Sequence, residues 1–262
     1  MSSWAGMAEA YRESFAALCA GAIPELLAAT AGEGLHLDVG CGTGELARAA
    51  VAEGRRVLAV DPDPDMVALS RSAGAPGPGS LTVRQAGAPG LPVDDGAAGA
   101  VTANFVVNHV PDPRAAVRDL ARAAAPSAPL AMTIWPSTPG PHLAAYGEAA
   151  RACGAVPVPR QDLPPELDFA RSADGLAGLA LEAGLEVVRA GEIGWTWHVA
   201  ADDLMAGIAA GIAGPGRLHR AQSPEVRARI EDAARERWST YVGADGRLAF
   251  PVTAVLVVAT RP

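Results

Sequence analysis

Aromatic residues supply only 5% of this 262-residue chain, although 50% of it is hydrophobic. Packing therefore falls to small side chains, alanine above all. Basic side chains do not gather either. The densest groups, Arg227-Ala228-Arg229 and Arg235-Glu236-Arg237, sit among glutamates and read as a solvated helix face, and the formal net charge is −8. A nucleic-acid surface is normally basic, so neither RNA nor DNA is expected as a partner. Cys19, Cys41 and Cys153 are far apart and make no C-x-x-C pair. That spacing implies neither a zinc site nor a disulfide framework; no metal is expected, and a reducing cytoplasm suits them. No basic stretch followed by an apolar core opens the chain, as a signal peptide would require. The longest apolar run, near 252–259, is too short to span a bilayer. A soluble, cytoplasmic protein with no membrane partner is the expectation.

What the chain does have is concentrated in Leu37-Asp38-Val39-Gly40-Cys41-Gly42-Thr43-Gly44. An apolar run (Leu35, Leu37, Val39) meets an acid and three glycines at alternate positions, and a helical pattern starts at Glu45-Leu46-Ala47. This predicts a strand, a tight turn and a helix, with glycines where the backbone must approach a ligand. A second strand, at 56–60, ends in Asp61, 17 residues after Gly44. An acid there can accept both hydroxyls of a ribose lying across the turn. In a dinucleotide fingerprint, G-x-G-x-x-G, the last glycine would stand where this chain has Glu45, whose carboxylate would repel a pyrophosphate. Asp38 instead suits a positively charged ligand, such as an α-amino group or a sulfonium.

Alternation continues along the chain. Met7, Tyr11, Phe15 and Leu18, with Trp4, recur at spacings of three or four and mark an amphipathic helix, followed by a short helix at 24–29. Strands are expected at 35–39, 56–60, 81–85, 99–106 and 129–135, with helices at 44–53, 63–72 and 112–124. Such a series predicts an α/β fold with a parallel sheet and helices on both faces. After Trp135 the run Pro-Ser-Thr-Pro-Gly-Pro at 136–141 takes the chain out of the sheet. A helix near 142–153, a proline-studded loop at 154–168, a helix at 172–183 and a strand at 185–199 follow; helices near 201–213 and 223–241 precede a final strand at 250–260.

On its glycine turn and its two strand-end acids the chain resembles class I S-adenosylmethionine-dependent methyltransferases. The likeness is to the small-molecule branch that includes ubiquinone and menaquinone biosynthesis enzymes, and it covers roughly 4–135 well and the rest loosely. It implies a Rossmann-like, mostly parallel seven-stranded sheet of order 3-2-1-4-5-7-6 under a helical lid, with S-adenosyl-L-methionine as cofactor. One domain spanning 1–262 is expected. In it 1–30 gives lid helices, 31–135 the cofactor-binding core, 136–170 and 200–247 lid insertions, and 171–199 and 248–262 the rest of the sheet. Mobility without ligand is expected at 1–30, 136–170 and 200–225.

By the same resemblance Asp38, Gly40, Cys41, Gly42 and Gly44 form the first cofactor motif, Asp61 binds the ribose, and Pro62 and Met66 pack on the adenine. Tyr11, Asn104 and Phe105 also fall on the cofactor side. Where the family reads Gly-Asp-Ala before Leu-Pro, this chain has Gly87-Ala88 before Leu91-Pro92, so the adenine-binding acid is replaced by Gly87. His109 matches the second of a family His-His pair whose first member is Asn108 here; it is the candidate general base or a pin for the turn. Trp135, His142, Tyr146, Trp195 and Trp197 are candidates for binding the acceptor, a small molecule with some aromatic character, in a monomer or homodimer. The expected reaction is methyl transfer to O, N or C. A cyclase or isomerase that keeps the cofactor but transfers no methyl, and a non-catalytic binding protein, stay open as alternatives.

Overall fold

The computed structural model describes residues 6–159 and 162–262. Trp4, in the expected N-terminal stripe, and Arg160 and Gln161, in the expected 154–168 loop, lie outside the described residues. Seven strands form one sheet: β1 (Leu35–Val39), β2 (Arg56–Asp61), β3 (Ser80–Gln85), β4 (Ala100–Asn104), β5 (Pro129–Ile134), β6 (Glu186–Val199) and β7 (Leu248–Thr260). Their order is β3-β2-β1-β4-β5-β7-β6, as the resemblance implies. Pairing is parallel from β3 to β5, and β7 runs antiparallel to both of its neighbours.

The helices are α1 (Ala8–Glu13), α2 (Ala16–Ala20), α3 (Ile23–Ala29), α4 (Glu45–Ala52), α5 (Pro64–Ser72), α6 (Pro113–Ala123), α7 (Pro141–Ala152), α8 (Ala173–Glu182), α9 (Ala201–Ala209), α10 (Ala213–Arg220) and α11 (Pro224–Trp238). Local chemistry sets several starts. Asp63, Asp112 and Ser223 each accept a backbone N–H of the first turn and are followed by proline, whose fixed φ suits the first helical position. On one face of the sheet Leu37, Val101, Leu130 and Met132 pack under α6 and α8 through Leu120, Leu176 and Leu179. On the other, Ala59, Ala131 and Leu256 meet Leu26 and Leu27 of α3 and Leu46 and Val51 of α4.

The lid grows from the β6–β7 ribbon. β7 pairs with β5 only over its last six residues, Val255 to Thr260, so its first half is held by β6 alone. Pro251 lies in that half, where no β5 partner needs its missing N–H. Trp197, Val199, Phe250 and Val252 on the protruding half pack with Tyr146 of α7, Leu204 and Ile208 of α9, and Ile230 and Trp238 of α11. A polar line crosses this core. Tyr146 Oη lies 2.9 Å from His219 Nδ1, and His219 Nε2 faces Glu231 Oε1 at 3.3 Å. A carboxylate only accepts, so Nε2 carries the ring proton and Nδ1 takes the tyrosine hydroxyl; burial lowers the His219 pKa and keeps the ring neutral.

Three elements differ from expectation. The N-terminal helix is two helices, broken at Ser14, whose hydroxyl donates to Ala10 O at 2.5 Å and competes with the helical ladder. A side chain on Gly207 would collide with Ser14 and Phe15, so α9 also crowds this break. The helix expected over 201–213 ends at Ala209, and a separate α10 follows, despite its Gly214-Pro215-Gly216. β4 stops at Asn104 because Phe105 turns to φ 58°.

Tyr146→Phe would strand the buried Nδ1 of His219. It should cost about 1–3 kcal/mol, the penalty for a buried unsatisfied polar group, read as a lower urea midpoint at unchanged slope. An unchanged midpoint would mean that the line adds nothing to lid stability.

Candidate cofactor cleft

The glycine turn leaves β1 at Val39 and is tied to β2, because the amides of Gly40 and Cys41 both donate to Val60 O, at 2.8 and 3.0 Å. Gly40, Gly42 and Gly44 have φ of 67°, 53° and 93°. Two of the three are demanded by the protein itself. A Cβ on Gly40 would collide with Val106, and one on Gly44 would come within 2.5 Å of Ser70 Oγ. A Cβ on Gly42 would meet nothing nearer than Tyr11 Cε1 at 3.7 Å, so that glycine faces open space.

Two carboxylates flank the turn. Asp61 Oδ2 accepts from Gly42 N and Oδ1 from Asp63 N, each at 2.9 Å. Burial raises its pKa, and these two backbone bonds oppose the rise. Asp38 is buried, and its Oδ1 accepts from Thr102 Oγ1 at 3.0 Å. Its Oδ2 is buried with no hydrogen-bond partner among the described residues. Burial, with the nearby Asp61 and Glu45, pushes the Asp38 pKa up to about 7, and the Thr102 bond restrains it. Glu45 caps the set from the first turn of α4, where it accepts from Thr43 Oγ1 and pairs with Arg48 at 3.0 Å. Three acids and an orphaned carboxylate oxygen around an open glycine fit a ligand carrying a cation and ribose hydroxyls. They do not fit a pyrophosphate.

The N-terminal helices roof this cleft. Tyr11 hydrogen-bonds the Cys19 side chain, and Cys19 O accepts from Asn104 Nδ2 at 3.1 Å. Asn104 is itself fixed by Thr133 Oγ1, which donates to its Oδ1 at 2.6 Å. Beneath the roof remains a cavity of about 30 Å³ lined by Tyr11, Cys19, Asp38, Gly42, Glu45 and Asn104 among others. That is room for about one water.

At the expected adenine end Met66 is buried, Pro62 is exposed and Gly87 is half-buried, with a Cβ on Gly87 coming within 3.3 Å of Pro62. Gly87 and Ala88 bring no acid. Asp119 of α6 holds the end of their loop by accepting from Gly90 N and Leu91 N at 2.6 and 2.8 Å.

Beyond β4 the backbone is strained. Phe105 holds a left-handed φ that bulky side chains avoid, fixed by its amide donating to both Thr133 O (3.1 Å) and Thr133 Oγ1 (3.0 Å). Its ring stacks on Trp135 at 3.8 Å, and Trp195 tilts against both rings at 6.4 and 6.3 Å. Trp195 also lies flat on Gly21, between α2 and α3. Of the expected acceptor residues, these two tryptophans are thus brought against Phe105, the neighbour of Asn104. His142, Tyr146 and Trp197 are buried in the lid's own core, where His142 packs edge-on to Trp197 at 5.2 Å. His109 lies on the exposed turn after β4, its Nε2 3.2 Å from Asn108 Nδ2. An amide nitrogen only donates, so Nε2 accepts; partial desolvation and the Arg171 charge lower its pKa. That geometry suits a pin for the turn better than a base at neutral pH.

Sequence reasoning missed Cys19, Glu45 as an ion-paired member of the site, and Asp119. Cys19 carried no signal, since its role depends on a tertiary contact with Tyr11. Asp119 sits in an ordinary helical pattern.

Residues 37–132 match the family described as methyltransferase domain. A ubiquinone biosynthesis O-methyltransferase of Xanthomonas oryzae pv. oryzae (strain PXO99A) is 34% identical over 104 residues, 39% of this chain and 44% of that protein. The chain thus spans under half the length of this curated relative. Among solved structures, the YcgJ protein of Bacillus subtilis aligns with a TM-score of 0.56 at 18% identity, covering 93% of this chain and 98% of that one. The cyclase SpnF aligns with a TM-score of 0.54 at 19% identity, covering 93% and 80%. The chain resembles small-molecule class I methyltransferases in its core segment and has their Rossmann-like fold throughout.

Gly40→Ala and Gly42→Ala should separate folding from binding. Both strain a positive φ, but only the first drives a methyl into a neighbour, so it should lower the melting temperature more. Gly42→Ala should keep more of its stability and lose affinity for S-adenosylhomocysteine in calorimetry. The reverse order would contradict the assignment of Gly42 to the cleft.

Asp38 gives a pH prediction with a definite sign. Its folded pKa lies above the unfolded value near 4, so the ionised carboxylate costs the free protein stability as pH rises towards and past 7. Asp38→Asn should therefore gain stability relative to wild type at pH 8 and little at pH 4. A cationic ligand needs the ionised form, so wild-type affinity should fall by up to about tenfold per pH unit below 7. The variant should bind weakly at every pH; a wild-type profile that is flat from pH 5.5 to 8 would refute the role.

Proposed function

We propose that this protein transfers a methyl group from S-adenosylmethionine to O, N or C of a small acceptor. The observation that carries the reading is the orphaned Oδ2 of Asp38, buried beside an open glycine and a second strand-end acid. Residues 37–132, which match the methyltransferase-domain family, contain that whole group.

When bound, S-adenosylmethionine supplies a methyl already activated on a sulfonium, so the chain has to bind, align and exclude water. Asp38 would hold the α-ammonium, and Asp61, kept in place by two backbone N–H groups, the ribose hydroxyls. Pro62, Met66 and the backbone at Gly87 and Ala88 would flank the adenine without a carboxylate partner. Asn104 and the strained Phe105 would border the methionyl end. The stacked Phe105–Trp135 pair with Trp195 offers an apolar, flat-sided wall for the acceptor. His109 is neutral at pH 7, but its Nε2 already accepts a bond, so the acceptor's proton is assigned to solvent. A roof that leaves about 30 Å³ must lift to admit a nucleoside, and α1 and α2 are the elements that would move.

No described helix is long and apolar enough to cross a membrane, and no group of metal-ligating residues occurs among the described residues. Neither observation selects the acceptor.

The decisive experiment is incubation of the purified protein with methyl-labelled S-adenosylmethionine and a panel of phenols, carboxylic acids and amines. Label should move to one acceptor class. Tight cofactor binding without label transfer would instead favour the cyclase or isomerase reading, since the cyclase SpnF has a similar fold. Trp135→Ala should raise the acceptor KM several-fold and leave cofactor Kd within about twofold, because the ring stacks on Phe105 away from the ribose acid. Equal losses for both ligands would move the acceptor to another wall of the cleft.

A further inference from the structure

A buried polar stripe runs under β1 and β4 on the face covered by α3 and α4, and the glycine motif does not account for it. Arg55 Nη1 lies 3.2 Å from His36 Nδ1, His36 Nε2 lies 3.0 Å from Thr102 Oγ1, and Thr102 Oγ1 lies 3.0 Å from Asp38 Oδ1. His36, Thr102 and Asp38 are all buried. From this juxtaposition we infer that Arg55, His36 and Thr102 are positioning residues, a one-way hydrogen-bond line that occupies one oxygen of Asp38 and aims the other at the cofactor's ammonium. The inference rests on the proposed cofactor site.

The direction of the line follows from donor chemistry. A guanidinium can only donate, so His36 Nδ1 must accept. The neutral ring then carries its proton on Nε2, which donates to Thr102 Oγ1. The Thr102 hydroxyl proton is left for Asp38 Oδ1. Burial and the Arg55 charge lower the His36 pKa to about 4, which keeps the ring neutral near pH 7.

Arg55 does not wander, because its guanidinium also donates to Leu27 O and Thr30 O, both at 2.8 Å, and to Glu53 at 2.6 Å. The line therefore starts at the C-terminal end of α3 and finishes in the cleft. Along it every nitrogen and oxygen is matched until Asp38 Oδ2, which is buried and has no partner among the described residues. Register supports the arrangement: Thr102 is the direct β4 partner of Asp38, so their side chains leave the same face of the sheet. The charged groups around Asp38 are Asp61 at the end of β2 and Glu45 on α4, both repulsive, so the Thr102 proton is what makes ionisation tolerable without a ligand.

The test compares S-adenosylhomocysteine with 5′-methylthioadenosine, which keeps the nucleoside but lacks the amino-acid end. In calorimetry, Thr102→Val should weaken S-adenosylhomocysteine about tenfold, the scale of one charge-assisted bond, and leave methylthioadenosine within about twofold. Thr102→Ser, which keeps the hydroxyl, should restore the first. Equal losses for both ligands, no loss for either, or failure of the serine rescue would overturn the line. A wild-type protein that binds neither ligand would instead overturn the cofactor reading, and the line's role with it. Nitrogen-15 NMR of the wild-type imidazole gives a check that needs no variant. His36 should show a neutral ring protonated at Nε2 from pH 5.5 to 8, and an Nδ1-protonated ring would reverse the direction and refute the proposal.

Discussion

One carbonyl organises the cleft. Val60 O accepts from both Gly40 N and Cys41 N, and that double bond forces the chain leaving β1 to curl over the end of β2. The curl demands positive φ at alternate residues, hence the glycines, and it points Gly42 N at Asp61. It also confines three acids around one turn, with Arg48 paired to Glu45 and donating to Thr43 O at 2.8 Å. Burial, with repulsion from Asp61 and Glu45, raises the pKa of Asp38, and burial, with repulsion from Asp63, raises that of Asp61. Such a site stores electrostatic cost in the free protein, and a cation relieves it. The same charge rejects a phosphate. The charge around the turn thus favours a cation over an anion in the free protein.

The strands and most helices were legible in the sequence, whereas the break at Ser14, the separate α10 and the end of β4 were not, for physical reasons that differ element by element. β1, β2, β4 and β5 are largely buried on both faces, β2 reads as an apolar run and β1 as apolar alternate positions, and the Asp-Pro and Ser-Pro pairs mark three helix starts. Periodicity is blind to Ser14, which follows the helical pattern yet uses its hydroxyl to break the ladder. It is equally blind to α10, whose Gly-Pro-Gly opening is stabilised by neighbours rather than by propensity. Phe105 looked like the continuation of a strand. Its left-handed turn depends on Thr133, 28 residues away, and no local signal announces that.

The site divides in the same manner. Asp38, Asp61 and the glycines could be placed together from the sequence, because spacing within one strand–turn–helix–strand unit sets where they fall. Trp195 and Trp197 share a strand face, as alternation requires, yet they serve different ends. Both lie past the end of β5, whose Ile134 pairs with Val255 opposite Glu192; Trp195, the nearer, meets Phe105 and Trp135, while Trp197 is sealed among α7, α9 and α11. Cys19 and His36 act only through tertiary partners, Tyr11 for one and Arg55 with Thr102 for the other. A single sequence carries no trace of such pairings.

The scarcity of aromatics acquires a meaning from where they fall. From Ala16 to Asn104 the chain contains none. That half packs α3, α4 and α5 on the sheet through alanine, valine and leucine, which lets helices approach closely and holds the cofactor turn rigid. Apart from Phe169, the aromatics that follow lie at the strand ends and on the protruding ribbon and the helices packed on it. The proposed cofactor and acceptor regions would therefore rest on two differently built halves. The alanine-rich half positions charges whose placement tolerates little change, whereas the aromatic half offers broad apolar surfaces that adapt by ring rotation and helix shift. Substitutions that retune the acceptor can accumulate in the second half without disturbing the carboxylates of the first.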